Sequence, residues 1–494
     1  MECFLSGEKD CLRSEIALFS HHMDAWHVRK AARENRLPIT VPTELVIFIV
    51  FGLAYFLTCA LRFSGYGDEA YRTALNLIRY HTFALNGRVG IIDSLFAVPF
   101  ALLGYWGINS RFAGSLYYVF FSALTCVVFH RFSFEVYGNR QISILLTLML
   151  GFATQIWVYS KIGMEPVMTF LLLLSVYFVH RSSRLDWLLG GCFLGFTILS
   201  KMNGIMAVPI LLAYAYFISP RDWRRMLLIV APSTAGLLTS NGGGAFLVGL
   251  LLVPFSTINI PFYEGLYAFL LSPGKSIFLF NPPIVLAFFA LRRFRLAHKA
   301  EFALWLTALA VFLGFFSLIW FGSGDDVWGP RYMTEILPIV ILPAGLVIDQ
   351  LRHPTLGIRR LRICVTLLVA LGLFVQVLGL AFPYEWHPVL LRDWGLYSMD
   401  LATFTPALSH IVFNFTLLMS TLSRILTGKS LEFVFLKRTD IAHMPTTLSF
   451  DLSLYGQLDF PVFARHPLLA CVGFAVVVFL VFMLLEMARN DREV

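Results

Sequence analysis

The sequence predicts an all-α, polytopic membrane protein, and three observations carry that expectation. Of the 494 residues, 58% are hydrophobic and only 14% are charged, whereas a soluble domain is about one-quarter charged. The apolar residues come in blocks of roughly 15 to 22, long enough to cross the hydrocarbon core or nearly so. The Lys and Arg residues stand in short clusters between those blocks, as the positive-inside rule requires. A soluble globular protein is excluded. The formal charge of +8 resides in those interrupted clusters, so nucleic acid is not an expected partner.

The first 40 residues are polar and do not read as a cleavable signal peptide. Arg29, Lys30, Arg33 and Arg36 precede the first span and hold the amino terminus in the cytosol. That span runs about Leu45–Leu61. A mixed stretch from Arg62 to about Arg88 follows, and its apolar positions Leu75, Leu77, Ile78 and Phe83 suit helices lying along the membrane surface. Ile91–Trp106 is apolar, but Asp93, Pro99 and its modest length make it a doubtful span. Strong spans follow at Phe112–Phe129 and Ile142–Tyr159, then shorter ones at Val167–Val179, Trp187–Leu199 and Ile205–Ile218. Met226–Phe255 is interrupted by Ser240-Asn241-Gly242-Gly243-Gly244. Later spans are Ile277–Leu291, Phe302–Phe321, Met333–Ile348, Ile363–Phe382 and Leu468–Met487.

Charge orders these spans. If Ile91–Trp106 does not cross and Met226–Phe255 crosses once, every short basic loop falls on the amino-terminal side. Those loops carry Arg131 and Arg140, Arg181 and Arg184, Arg221 to Arg225, Arg292 to Lys299, and Arg352 to Arg362. The expected architecture is then about 12 transmembrane helices with both termini inside. Residues 1–40 form a cytosolic tail, and 41–382 a transmembrane module whose first non-cytosolic loop, 62–111, carries surface helices. Residues 383–467 form a small non-cytosolic segment, with an amphipathic or re-entrant stretch near Ile411–Leu422, that could cap the module and select the acceptor. Residues 468–494 are the last helix and a cytosolic tail.

The cysteines form no CxxC pair, and Cys59, Cys126, Cys192, Cys364 and Cys471 lie in apolar segments, where a thiol acts as a small hydrophobe. The histidines show no HxxxH or HExxH spacing, so no zinc chemistry is expected. The sequon-like Asn414-Phe415-Thr416 is short enough to arise by chance. Asp325-Asp326 in GSGDDVWGPRY suits a solvated turn, with a divalent ion as the alternative.

This topology has a consequence that was not used to build it. Asp68, Glu69, Arg72, Glu165, Lys201, Lys275, Asp325, Asp326 and Arg331 all fall on the non-cytosolic side, at or near span ends. Ionisable groups at membrane depth are costly and commonly functional. Paired carboxylates such as Asp68-Glu69 suit general-base work on a hydroxyl, but they equally suit a helix amino terminus. Lys201 and Lys275 could contact an anion or snorkel at span ends.

Several segments resemble membrane glycosyltransferases of the C superfamily, in particular the protein O-mannosyltransferases and the lipid A aminoarabinose transferase. GDEAYRTALNLIRYHTFALNG is similar to their first-loop motif, and YSKIGMEPVMTF, with Glu165-Pro166, resembles the second acidic motif. LSKMNGIMAVPILL resembles the Lys-Gly turn two spans later, and SPGKSIFLFNPP and WGPRYMTEILP resemble blocks of the bacterial members. The matches run in order from Leu45 to Ile348. Arg72 stands one place later than the corresponding arginine, and Arg88-Val89 stands where the aminoarabinose enzyme has a Lys-Pro element. The region after Pro383 resembles nothing named here.

The resemblance implies an inverting transfer of a sugar from a polyprenyl-phosphate-linked donor to a hydroxyl of a glycan, lipid or protein acceptor. Asp68 and Glu69 are then the catalytic candidates, and Arg72, Arg88, Glu165, Lys201, Lys275, Arg331 and Tyr332 the substrate-binding ones. No cofactor is required beyond the open question of a divalent metal. The implied setting is a bacterial inner membrane, amid membrane lipid, with the site facing outward. A transporter or flippase of a lipid-linked saccharide is the competing class, although it would more often show inverted repeats.

Overall fold

A computed structural model describes residues 42–59, 66–82, 90–163, 165–220, 222–239, 260–319, 327–353, 357–382, 384, 386–393, 395–396, 398–427 and 467–490. In chain order the helices are α1 (Thr43–Thr58), α2 (Tyr66–Tyr80), α3 (Ile91–Tyr105), α4 (Ser110–Tyr137), α5 (Arg140–Ala153) and α6 (Ile156–Ile162). Next come α7 (Pro166–Arg181), α8 (Arg184–Ser200), α9 (Ala207–Ile218), α10 (Trp223–Thr239), α11 (Phe262–Leu270) and α12 (Ile277–Phe280). Then follow α13 (Ile284–Ala297), α14 (Lys299–Phe316), α15 (Leu337–Val340), α16 (Ala344–Gln350) and α17 (Ile358–Ala381). The last are α18 (Trp386–Asp393), α19 (Met399–Phe404), α20 (His410–Leu426) and α21 (Pro467–Asn490). Two 3₁₀ turns matter for the site, Met202–Met206 and Arg331–Ile336. No strand occurs among the described residues.

The protein is a helical integral membrane protein. Among the described residues four helices are long and apolar enough to cross a bilayer, within α4, α14, α17 and α21, and there are up to six such spans if two bent pairs each count as one. Shorter apolar helices lie at Thr43–Thr58, Pro166–Arg181 and Asn203–Ile218, which coincide with other expected spans, at His410–Ser423, the expected amphipathic or re-entrant stretch, and at Ile91–Tyr105. Helix α3 is one of them, at the doubtful position. The distal part of Met226–Phe255, with its glycine break, lies outside the described residues, as do the basic tail before residue 42 and the segment 428–466.

Close packing relies on small residues, as is usual between helices that gain nothing from leaving lipid. A Cβ on Gly236 would meet the Gly195 carbonyl oxygen at 2.6 Å, and one on Gly195 would meet the Pro232 carbonyl oxygen at 2.7 Å, so α8 and α10 touch backbone to backbone.

The structure departs from the expected continuous spans at three places. Ile142–Tyr159 is broken between α5 and α6, which meet at a 49° bend, and the 331–350 stretch bends by 44°. Ile277–Leu291 is interrupted at Asn281-Pro282-Pro283. Proline lacks the N–H that would continue a helix, and each break frees backbone groups that lipid cannot satisfy. The three breaks solve this together. The Gln155 backbone N–H donates to Asn281 Oδ1 at 2.8 Å, and Asn281 Nδ2 donates to Gln155 Oε1 at 3.3 Å. Gln155 Nε2 donates to the Pro330 carbonyl at 3.1 Å and to Thr334 Oγ1. Gln376 of α17 caps the end of α12 by donating to the Phe280 carbonyl at 2.7 Å. A buried polar knot therefore fixes where the loop 327–330 and the turn after it sit.

Candidate functional site

Helix α2 carries the acidic pair in its first turn. Ala70, Tyr71 and Ala74 are its buried face, packed in one cluster with Ala97 and Ala101 of α3, Tyr117 of α4 and Val167 of α7. Gly104 makes room for the Tyr71 hydroxyl, which a Cβ there would meet at 2.1 Å. Asp68 lies on the first turn, where the backbone alone is described. Glu69 Oε2 is buried and has no hydrogen-bond partner among the described residues. Arg72 is exposed. Arg88 and the pair Asp325-Asp326 lie outside the described residues.

Val167 of the same cluster stands two places after Glu165, where a second group of charges begins at the start of α7. Glu165 adopts a left-handed backbone conformation with φ 64°, uncommon for a side chain of this size, two places after Gly163 at φ 74°. That turn points its carboxylate inward. Glu165 Oε1 accepts from Arg331 Nε at 2.8 Å and from Arg331 Nη2 at 2.7 Å, and it also accepts from Lys201 Nζ. The side chains of Glu165 and Arg331 are 2% and 1% exposed, whereas that of Lys201 is 21% exposed. Lys201 is thus the most accessible of the three. Both cations lie over the Tyr332 ring, Lys201 Nζ 5.1 Å and the Arg331 guanidinium carbon 5.2 Å from its centre. Phe316 stacks on that ring, its centroid 4.3 Å from that of Tyr332 and the planes only 2° apart.

The two 3₁₀ turns are what bring these groups together. Lys201 and Arg331 each stand at the entrance of one, and Asn203 Nδ2 donates to Glu335 Oε1 at 2.9 Å across the gap between them. Glu335 Oε2 is buried without a hydrogen-bond partner among the described residues. Asp93 braces the same junction from α3, accepting from the hydroxyls of Ser200, next to Lys201, and of Tyr117 at 3.3 Å.

Lys275 has a different environment. It is 2% exposed and donates to the Val327 carbonyl at 2.8 Å and the Gly329 carbonyl at 3.2 Å. Tyr159 adds a 2.9 Å hydrogen bond to the Trp328 carbonyl. Lys275 therefore holds the loop that presents Arg331. Lys161, which sequence reasoning passed over, likewise donates to the Leu380 carbonyl of α17. Among the described residues no three His, Cys, Asp or Glu side chains gather as metal ligands. Asn414 is buried with Nδ2 donating to the Leu378 carbonyl at 3.0 Å, so its sequon-like segment presents no glycan acceptor.

Two solved structures of ArnT match part of this chain. The crystal structure of ArnT from Cupriavidus metallidurans bound to undecaprenyl phosphate matches over 75% of this chain and 76% of that one, at 16% identity and a TM-score of 0.42. Its apo state matches over 90% of this chain and 76% of that one, at 13% identity and a TM-score of 0.46. ArnT is the aminoarabinose transferase whose segments the sequence resembles. No family model matches the sequence, and no curated protein matches it.

Asp93, Asn203 and Glu335 were not singled out from sequence as site residues. Glu335 sits four places after Arg331 within WGPRYMTEILP, and Asn203 two places after Lys201 within LSKMNGIM. A polar residue repeated inside each matched block was the available signal.

Proposed function

We propose that this chain is an inverting glycosyltransferase that moves a sugar from a polyprenyl-phosphate-linked donor to an acceptor hydroxyl at the non-cytosolic face of the membrane. The observation that carries this reading is the convergence of separate sequence blocks on one ion cluster. Glu165, Lys201 and Arg331 come from three of the blocks that resemble the glycosyltransferases, and they meet within hydrogen-bond distance. Val167, two places after Glu165, belongs to the same hydrophobic cluster as the buried face of the acidic helix α2.

In the proposed reaction Asp68 takes the proton of the acceptor hydroxyl as that oxygen attacks the anomeric carbon. The bond from that carbon to the phosphate oxygen breaks on the opposite side, and the configuration inverts. Glu69 orients Asp68 or binds sugar hydroxyls. The leaving group is an anionic lipid phosphate of the class to which undecaprenyl phosphate belongs. Lys201, the accessible cation, meets it, while Arg331 holds Glu165 and keeps Lys201 aimed. Arg72 and Arg88 lie in the loop that carries α2 and are assigned to the same phosphate. The twelve-span topology, the outward-facing site and a bacterial inner membrane belong to this proposal.

The test is turnover by purified protein in lipid, supplied with a polyprenyl-phosphate sugar or, separately, with nucleotide sugars. Asp68→Asn keeps the size and polarity of the side chain but cannot accept the proton, so transfer should fall by about 10²–10⁴-fold. Transfer from a nucleotide sugar, or Asp68→Asn retaining more than about a tenth of the rate, would overturn the assignment.

A further inference from the structure

The junction between the two 3₁₀ turns holds two buried oxygens that make no hydrogen bond. Asn203, two places after Lys201, and Glu335, four places after Arg331, meet side chain to side chain, with Asn203 Nδ2 donating to Glu335 Oε1 at 2.9 Å. That bond uses one polar atom of each group. The second atoms, Asn203 Oδ1 and Glu335 Oε2, are both buried, and neither has a hydrogen-bond partner among the described residues. Glu335 as a whole is 1% exposed, so bulk water does not reach it.

An ionised Glu335 does not fit these surroundings. Its carboxylate can only accept, and so can the amide oxygen of Asn203. Two bare acceptors would remain, one of them charged, and an unpaired buried charge is costly. The cations nearby serve another acid. Arg331 Nε and Nη2 and Lys201 Nζ all donate to Glu165 Oε1, and Glu165, Lys201 and Arg331 are the charged groups that act on Glu335. A proton on Glu335 Oε2 removes both defects at once. The O–H becomes a donor, Asn203 Oδ1 is the acceptor that lacks one, and acid and amide close into a ring of two hydrogen bonds.

We infer that Glu335 is a positioning residue that works as a neutral acid, sharing its proton with Asn203, and that this closed pair sets the charge of the site around Lys201. Glu165 cancels one of the two cations. With Glu335 neutral, one positive charge remains for the anionic group of a ligand, and the pair fastens the turn after Lys201 to the turn that begins at Arg331. With Glu335 ionised, the charges of Lys201, Arg331, Glu165 and Glu335 would sum to zero. The inference rests on the donor-phosphate reading of Lys201 and adds to it the residue pair that keeps this cation from being neutralised.

Infrared spectroscopy and binding test this without turnover, on full-length protein in nanodiscs. At neutral pH the spectrum should contain the C=O stretch of a protonated carboxyl that is lost in Glu335→Gln. Binding is read with an alkyl phosphate. Asn203→Asp sets a second carboxyl against the first at nearly constant shape. The two then share one proton, the cluster loses its net charge, and affinity for the phosphate should fall by about tenfold. The exchange Asn203→Asp, Glu335→Gln again pairs one acid with one amide and should recover the parent affinity to within about threefold, which separates charge from damage to the fold. Absence of the Glu335-dependent band, tighter phosphate binding by Glu335→Gln, as removal of an ionised carboxylate would give, or no recovery in the exchange overturns the inference. A protein that shows the band but binds no alkyl phosphate would sink the donor-phosphate reading of Lys201 and leave the shared proton standing.

Discussion

Two carboxylate-bearing regions of the molecule are built in opposite ways. On one side Glu165 is buried, strained at φ 64°, and shared between Arg331 and Lys201. On the other, Glu264 of α11 and Asp400 of α19 are exposed near one another at the edge of a small open cleft. A buried charge persists only where partners replace the water it lost, so the Glu165 cluster is a closed, compensated unit. The cleft carboxylates keep solvent and need no internal partner. Groups committed to the fold and groups free to meet a ligand are thus told apart by their compensation rather than by residue type.

The largest way to break that contrast is Glu165→Gln. It leaves Arg331 and Lys201 together without their shared anion, and removal of one member of a buried ion pair costs about 3–5 kcal/mol. Glu264→Gln on the other side should change stability by about 0.5 kcal/mol or less, as surface substitutions do. Denaturant or thermal unfolding of both variants in lipid checks the pair. Similar losses for the two would erase the distinction.

A finer division lies inside the compensated cluster. Arg331 uses Nε and Nη2 on one oxygen of Glu165, a fork that an ammonium cannot copy. Arg331→Lys should therefore cost about 1–3 kcal/mol of stability as well as donor use. Lys201→Ala should lose less stability, because its side chain is partly exposed, and should raise the donor KM by about tenfold. The sequence taken alone suggests Arg331 as the principal phosphate ligand and Lys201 as the milder one. The burial of Arg331 and the partial exposure of Lys201 favour the opposite order in donor binding. A Lys201→Ala enzyme with unchanged donor KM would restore the first order.

What was legible in the sequence follows the same physics. Long apolar blocks reveal α4, α14, α17 and α21, because lipid imposes length and composition on them. Span breaks at Thr154-Gln155 and Asn281-Pro282-Pro283 were hidden, since each looked like a tolerable polar interruption until Gln155, Asn281 and Thr334 were seen bonded to one another. Glu165, Lys201 and Arg331 were legible as ionisable residues at span ends, but their mutual pairing across 166 positions was not. Lys275 had two readings, anion contact or snorkelling, and the structure gives a third, with the ammonium buried on carbonyls. Spacing cannot distinguish these, because all three place a lysine at the same depth.

The smallest expected effect belongs to Asp400, and its sign bears on the comparison most directly. Partial removal from solvent, and then the neighbouring Glu264 carboxylate, push the Asp400 carboxyl above its ordinary value. The folded protein therefore holds that proton more tightly than the unfolded chain does. At neutral pH both states are ionised, and the charge disfavours the folded one. As pH falls through the raised folded value, the native state takes up the proton first, and the penalty is gone below the unfolded value. Asp400→Asn should accordingly be slightly more stable than the parent at pH 7, with the difference closing at about pH 4, near the unfolded carboxyl value. The group is exposed, so screening holds the gain to about 0.3 kcal/mol or less, a shift of about 1 °C in the thermal midpoint. Replicate melts of the two proteins in lipid at both pH values would read it. A lower midpoint for Asp400→Asn at pH 7 would mean that the carboxylate already has a cationic partner, and the cleft would then be a second compensated cluster rather than an open site.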